Sequence, residues 1–329
     1  LLNSLKSLEI TPSEIIVVDD ASSDQTLNII KKQEGINLLQ LKKNVGPGIA
    51  RNRGAEIAKS PWLLFIDSDC SLPTSSIENA FPDLEEEKNN IVGIMGVFLP
   101  TINKKSKISD YKNIQRHFEI KGMVNPPDVF SSSCFTISRD AFFQVGGFSE
   151  TFGKIPTEDN EFYFRLIKNK YWIKYSTSFG FLHHKKMSIK TLFLDDFLRS
   201  KAIILNLFGY LGERRGTLQK KEKIKWILEI FFCLVFVINL LFLLIALFFD
   251  PFSKIISLLL WHLFTILILS LLNFNFLKFS NKVGGYKLFI IHFLLRIFEI
   301  LTAVLGIISS IFEIVLRWFK QKRKNTKIK

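Results

Sequence analysis

The segment WLLFIDSDC, residues 62–70, decides how the rest of the chain is read. Trp62 to Ile66 is a short, continuous apolar run, the signature of a strand buried on both faces. It ends in Asp67-Ser68-Asp69, two carboxylates separated by one residue at a strand end. Upstream, EIIVV (Glu14 to Val18) has the same form and ends in Asp19-Asp20. Between the two strands, Ala21-Ser22-Ser23-Asp24 supplies turn and capping chemistry for a helix reaching about Lys32. INLLQL makes a further strand. The loop Asn44-Val45-Gly46-Pro47-Gly48 then leads into a helix over about 49–59. Short strands alternating with helices predict an α/β fold built on a doubly wound, mostly parallel sheet. Such sheets bind ligands at the carboxyl ends of their strands, where both acidic clusters fall.

Downstream the alternation is less regular. IVGIMGVFL and SCFTI (Ser133 to Ile137) read as strands, and Arg139 to Val145 as a short helix stopped by Gly146-Gly147. TEDNEFYFRLIKN (157–169) reads as a helix with an acidic start, and Trp172 to Tyr175 as a last short strand. The first unit is thus expected to run over 1–187. The chain opens with LLNSLKSLEI, which looks like part of an amphipathic helix and does not begin with Met. The reading therefore expects a first strand to be missing ahead of it.

The second half has a different composition. Residues 188–225 form an amphipathic, basic linker, with Ile189, Phe193, Phe197, Ile204, Phe208 and Leu211 on one face and Asp195, Arg199 and Asn206 on another. That pattern suits a helix lying in a membrane interface. Residues 226–318 are almost wholly apolar. Two stretches, about 226–249 and 255–273, are long enough to span a bilayer and are joined by a very short linker. A third, about 286–318, carries His292, Arg296, Glu299, Ala303, Gly306, Ser310, Glu313 and Arg317 at three- and four-residue steps. Ionisable groups are costly in lipid, so this stripe is expected to face protein or the interface. Basic residues precede the first span (Arg214, Arg215, Lys220, Lys221, Lys223, Lys225) and crowd the tail at 319–329. The positive-inside rule puts both in the cytoplasm, which requires an even number of crossings. Two spans plus a packed or interfacial helix are favoured over three spans, which would strand the basic tail outside. The expected location is the cell (inner) membrane, multi-pass, with the first unit cytoplasmic.

The net charge of the 329 residues is +14, with the excess beside the apolar region rather than on the first unit. That argues for attraction to anionic lipid headgroups and against nucleic acid as partner. Cys70, Cys134 and Cys233 have neither zinc-site nor disulfide-framework spacing and are read as reduced thiols.

Several residues carry candidate chemistry. Asp67 and Asp69 can hold a hard divalent cation, Mg²⁺ or Mn²⁺, that also binds a diphosphate; a solvated turn is the bland alternative. Asp19 and Asp20 can accept hydrogen bonds from a base or ribose, or cap the following helix. Arg51 can reach a phosphate or a carboxylate of the metal site, whereas Arg53 fits a surface ion pair equally well. Glu158 and Asp159 open a helix, where acids are common because of the dipole. A carboxylate there can also take a proton from a hydroxyl. After the last strand, His183 can complete a metal site and Lys185 can hold a diphosphate; structural roles compete with both.

EIIVVDDASSDQT, KNVGPGIARNRGAEIAKSPWLLFIDSDC, CFTISRDAFFQVGGFSETF and TEDNEFYFRLIKN together resemble, in order and spacing, the family 2 glycosyltransferases of the GT-A fold over about residues 1–185. The apolar C-terminus resembles membrane-anchored members. The resemblance implies an inverting transfer from a nucleotide-diphosphate sugar, with UDP expected, to a polyprenyl-linked or cell-envelope glycan acceptor. It implies that Asp19 and Asp20 contact the base, with Asn44, Arg51, Asp67 and Lys185 completing the donor site. Asp67 and Asp69 would be the metal-binding pair, Asp69 favoured as direct ligand, and His183 part of a His-x-Lys element. Asp159, with Glu158 beside it, would be the general base, and Gly146, Gly147 and Phe148 would shape the acceptor side. The Gln-x-x-Arg-Trp motif of processive synthases is absent. A sugar nucleotidyltransferase and an inactive membrane scaffold are the competing functions.

Overall fold

The computed structural model describes residues 1–82, 84–102, 106–121, 125–127, 130–150, 158–205, single positions between 228 and 242, and 252–326. The chain divides into two compact units, 1–101 with 116–185, and 102–115 with 186–329.

The first unit contains α1 (Leu2–Lys6), β1 (Ile16–Asp19), α2 (Thr26–Ile30), β2 (Asn37–Gln40), α3 (Pro47–Ile57), β3 (Trp62–Ile66) and β4 (Cys70–Ser71). After these come α4 (Leu84–Lys88), β5 (Ile91–Phe98), the second half of α5 (Lys107–Lys121), β6 (Cys134–Ser138), α6 (Arg139–Gln144), α7 (Glu158–Lys168) and β7 (Trp172–His183). β1 and β2 pair in parallel. The larger sheet has the order β3-β6-β5-β7-β4. The α/β class expected from the sequence is observed, but the sheet is mixed rather than mostly parallel. β5 and β7 run parallel, whereas β3/β6, β5/β6 and β4/β7 are antiparallel. The continuous apolar run of WLLFI predicted a parallel strand buried on both faces, but β3 alternates between buried and half-buried residues and pairs antiparallel with β6.

β7 extends eight residues beyond the expected end at Tyr175. Its pairing with β5 jumps from Ser176 to Gly180, so a bulge interrupts the apolar pattern and the strand resumes to His183. That resumed piece carries the site histidine. The core of the unit is rich in phenylalanine. Phe65 stacks on Phe135 at 5.0 Å and Phe148 on Phe162 at 4.5 Å, with Phe142 in contact with Phe65, Phe148 and Phe162. Such pairs add about 0.5–1.5 kcal/mol each beyond their buried area. They tie β3, β6, α6 and α7 together beneath the strand ends.

The second unit contains the first half of α5, α8 (Ile189–Leu205), α9 (Phe252–Leu272) and α10 (Phe274–Thr326). The long helix α10 is interrupted at Gly285, whose φ of 73° and ψ of 178° break the helical run. Within it, Phe274–Leu316 is, among the described residues, the one helix long and apolar enough to cross a membrane. The expected stretch 255–273 corresponds to α9, and the third apolar stretch lies within α10, which begins earlier than 286. The expected span 226–249 lies, apart from isolated helical positions, outside the described residues, as does the basic segment 206–225.

The polar stripe of α10 faces protein, as expected. His292 and Ser310 are fully buried, and Glu299 and Thr302 nearly so, while Leu294, Leu305, Ile308 and Phe312 point outward. Arg296 donates to Asn273 Oδ1 at 3.0 Å and approaches Glu299 at 3.2 Å. Glu299 also accepts from the Tyr111 hydroxyl and from Lys112 Nζ, which reaches Asp196 Oδ1 at 2.9 Å. A lysine on α5 thus bridges carboxylates on α8 and α10. Helix α8 was expected to lie in the interface by its apolar face. It packs along α10: Phe193 contacts Phe298, Lys201 pairs with Glu313 at 2.8 Å, and Ser310 Oγ donates to the Lys201 carbonyl at 3.1 Å. Ile189, Leu194 and Leu198 remain outward.

Candidate active site

The DSDC turn positions the central acids. The Cys70 amide donates to the Asp67 carbonyl at 3.0 Å, which reverses the chain after β3 and lets Cys70-Ser71 pair with His183 and Leu182. The His184 amide donates to the Asp69 carbonyl at 2.7 Å. This short ladder places Asp69 Oδ2 3.6 Å from His183 Nε2, although the residues are far apart in sequence. Asp69, Cys70 and His183 are close enough for one ligand atom from each to surround an ion. The Asp69 side chain is partly open to solvent and the His183 ring is buried.

His183 is held neutral. Burial, then the Arg116 guanidinium, lowers its pKa to about 4, so at neutral pH a lone pair is available on the ring. Cys70 behaves oppositely. Burial, reinforced by Asp67 and Asp69, pushes its thiol well above the ordinary range, so it stays protonated and is a poor ligand. Its place is in the core, consistent with the reading of a reduced thiol.

Asp67 pairs with an arginine. Its Oδ1 pairs with Arg51 Nη2 at 2.5 Å, and the Arg51 guanidinium lies over the Phe148 ring at 5.4 Å. The expectation that Arg51 reaches a carboxylate of the site is met. Asp67 thus carries an ion pair with Arg51 while Asp69 lies beside His183, and the charge of Asp67 also acts on His183. Arg51 Nη1 is buried without a hydrogen-bond partner and is a spare donor beside the acids.

Asp19 and Asp20 also separate. The Asp20 carboxylate accepts from the amides of Val45 at 2.7 Å and Gly46 at 2.8 Å, while Asn44 Nδ2 approaches the Asp20 carbonyl at 3.4 Å. Asp20 is therefore a latch on the loop opening α3. Asp19 is buried; one oxygen accepts from the Ser22 amide at 3.3 Å and the other has no hydrogen-bond partner. Ala21 between them and the turn has a φ of 58°, a left-handed conformation unusual for a residue with a Cβ. Asp24 accepts from the Thr26 amide at 2.9 Å and lies ahead of α2, which starts later than expected and has no acid in its first turn. Arg53 pairs with Glu56 and Glu150 at the surface, the bland alternative.

Glu158 and Asp159 open α7. A Cβ added to Gly48 would meet Phe148 Cβ at 3.2 Å and Glu158 Cγ at 3.5 Å, so the glycine lets α3, the Gly-Gly-Phe turn and α7 approach one another. Asp159 Oδ1 accepts from the Asn160 amide at 2.8 Å. Lys185 follows β7 and its charge acts on His183.

Two organising residues escaped the sequence reading. Asn52 clamps Phe148: its Nδ2 donates to the Phe148 carbonyl at 2.7 Å and its Oδ1 accepts from the Phe148 amide at 2.8 Å. Arg165 pairs with Glu161 at 2.7 Å and donates to the carbonyls of Val145 and Gly147. It thereby fixes the Gly146-Gly147 turn, where both residues have positive φ. The Glu161–Arg165 spacing was a visible signal for an ion pair; its carbonyl partners were not.

The model of glycosyl transferase family 2 matches residues 1–146. The chain is 29% identical over 134 residues to the poly(ribitol-phosphate) β-N-acetylglucosaminyltransferase TarP of Staphylococcus aureus (strain N315), covering 40% of this chain and 38% of that protein. It is 39% identical over 77 residues to the UDP-Glc:α-D-GlcNAc-diphosphoundecaprenol β-1,3-glucosyltransferase WfaP of Escherichia coli, covering 23% and 31%. The chain thus spans well under half the length of these curated relatives. Among solved structures, a mannosyltransferase from Pyrobaculum calidifontis in complex with GDP-Man and Mn²⁺ is similar with a TM-score of 0.54 and 12% identity, over 95% of this chain and 82% of that one. Over residues 1–146 the chain carries a glycosyl transferase family 2 domain, and its α/β architecture is of the GT-A type.

Proposed function

We propose that the protein is a divalent-metal-dependent, inverting glycosyltransferase that takes a nucleotide-diphosphate sugar and serves a lipid-linked or cell-envelope glycan acceptor at the cytoplasmic face of the inner membrane. The observation that carries the reading is the approach of Asp69 to a neutral His183 at the ends of their strands. A carboxylate and an unprotonated imidazole fit a divalent ion, and the imidazole favours Mn²⁺ over Mg²⁺, which prefers oxygen ligands throughout. Asp69 and His183 would hold the ion, which when bound supplies positive charge to the departing nucleoside diphosphate. The mannosyltransferase named above binds GDP-Man with Mn²⁺, and the WfaP relative is named for UDP-Glc, so both nucleotides are donors to test.

The chain's own groups divide the remaining work. Arg51, anchored on Asp67, keeps a spare buried N–H for a phosphate oxygen. Asp20 holds the loop at the start of α3, and the unpaired Asp19 oxygen can accept from the nucleoside. Asp159, in the first turn of α7 where the helix dipole favours a carboxylate, would take the acceptor hydroxyl proton, with Glu158 packed beside it. The outward apolar face of α10 and the basic segments at 214–225 and 320–329 support attachment to a membrane with anionic headgroups.

The test is a donor screen on the full chain in proteoliposomes with polyprenyl-linked acceptors, reading nucleotide release with and without Mn²⁺. Transfer should require the metal and vanish in Asp69→Asn. Asp159→Asn should bind donor normally and fail to transfer. Undiminished turnover in either variant would remove the corresponding assignment, and no nucleotide binding at all would leave a scaffold role.

A further inference from the structure

The long helix α10 has two unlike sides. After the break at Gly285, Ile290, Leu294, Leu305, Ile308, Phe312 and Leu316 are all exposed. At helical spacing they fall within one stripe about 80° wide and about 39 Å long. The opposite side is closed by protein. His292, Glu299 and Ser310 are buried there, and α5 and α8 supply the cover. Lys112 of α5 reaches both Glu299 and Asp196, and Lys201 of α8 pairs with Glu313. The contacts of α8 advance along α10 in one direction. Phe193 meets Phe298, a Cβ on Gly306 would sit 2.7 Å from the Phe197 carbonyl oxygen, and the Lys201 carbonyl accepts from Ser310. The two helices therefore run side by side and parallel.

That pairing decides how the stripe can meet a bilayer. If α10 crossed upright, α8 would enter the hydrocarbon with it, because Phe298 to Glu313 covers about 22 Å of a core about 30 Å thick. Yet the pair keeps ionisable side chains open to their surroundings. Arg199 is 46% exposed beside Asp195 at 24%, and Lys201 is 28% exposed beside Glu313 at 30%. Ionisable groups facing lipid are costly. Laid along the surface, the same helix puts its stripe in lipid and leaves the α5 and α8 side among water and headgroups. The sequence after the helix agrees. Lys320, Lys322, Arg323 and Lys324 follow it, and a flat helix keeps them at the headgroup layer it rests on.

We infer that α10 from Tyr286 to Leu316 lies in the plane of an anionic membrane surface, its apolar stripe about 5–10 Å into the boundary between headgroups and acyl chains, and does not cross the bilayer. This rests on the membrane attachment in the reading above and gives that attachment its geometry.

The test measures depth along the helix. Leu294→Cys, Leu305→Cys, Ile308→Cys and Phe312→Cys, all on the exposed stripe, would each be made in the full chain carrying Cys233→Ser. Cys70 and Cys134 are buried, and the chain without an added cysteine gives the labelling background. A bimane label on each variant would be read in nanodiscs of phosphatidylcholine and phosphatidylglycerol, with nitroxide lipids that quench at a shallow or a deep acyl carbon. Thermal melting checks that each variant is folded. Shallow quenching should exceed deep quenching at all four positions, with ratios that agree within about twofold. A wider spread, as a helix rising about 27 Å from Leu294 to Phe312 would give, overturns the inference and leaves the membrane attachment standing. No quenching at any position overturns both the inference and the membrane attachment. Arg199→Cys supplies an independent arm on the other side of the helix pair. It should react with a membrane-impermeant maleimide in the discs at a rate within about threefold of that in detergent, and stronger protection overturns the inference.

Discussion

Replacing Asn52 by alanine tests whether the site is held by tertiary hydrogen bonds or by local turn geometry. The Asn52 amide makes two bonds to the Phe148 backbone, at 2.7 and 2.8 Å, and Phe148 is 1% exposed. Each such bond contributes about 0.5–1.5 kcal/mol net, and a buried group left unpaired costs about 1–3 kcal/mol. Removing the amide orphans the Phe148 N–H and carbonyl together, so Asn52→Ala should destabilise the protein by about 2–4 kcal/mol, a large share of an ordinary domain's margin. Gly147→Ala attacks the same clamp from the other side. Its Cβ would sit 2.6 Å from Asn52 Oδ1 and 3.1 Å from Phe142, at a φ of +60° that a side chain rarely adopts. The two substitutions share one interaction, so their combined cost should fall short of additivity by about 1 kcal/mol or more. Urea unfolding of the full chain in detergent, followed by tryptophan fluorescence from Trp62 and its fellows, gives the three values. A cost below about 1 kcal/mol for Asn52→Ala, or full additivity in the double variant, would show that the Gly-Gly-Phe turn holds its shape without the clamp.

Three further outcomes are expected. Lys112→Met leaves the Asp196 and Glu299 carboxylates buried without their bridging cation and should cost about 3–5 kcal/mol, read as a lowered melting temperature in detergent; an unchanged melting point would mean that Arg296 and Tyr111 suffice. Ala21→Gly relieves a left-handed backbone at a φ of 58° and should stabilise by about 1 kcal/mol in the same melt, and a destabilised variant would count against strain at that turn. The pH dependence of His183 has a definite sign. Its folded pKa, about 4, lies below its unfolded value, so above about pH 6.5 it contributes nothing, and as pH falls towards 4 the unfolded chain alone takes up a proton. Stability should therefore decline by up to about 3 kcal/mol across that window, and His183→Gln should flatten the slope of the melting temperature against pH.

Much of this protein is legible in the order of its residues. WLLFI and the IIVV of EIIVV announce strands because each is a short apolar run bounded by turn residues, although β3 proves buried only on alternate residues. The acids that follow must then lie at strand ends, which is why Asp19, Asp20, Asp67 and Asp69 could be named as a set. The stripe from His292 to Ser310 could be assigned to a protein-facing side of a helix on periodicity alone, since polar groups repeat every turn there. These inferences depend only on spacing along the chain.

What spacing does not encode is the partner of each side chain. Asp67 and Asp69 look equivalent in DSDC, and only packing commits the first to Arg51 and the second to His183. Asp20 becomes a latch for Val45 and Gly46, Asn52 a clamp on Phe148, and Arg116 a neighbour of His183, through contacts that join distant stretches of chain. Strand direction and the bulge that carries β7 on to His183 are decided in the same way. The physical reason is common to all of them. Hydrophobic periodicity is a property of one segment against an averaged interior, whereas a hydrogen bond or ion pair depends on orientation and a separation of a few ångströms between two segments, which exists only once both have been packed.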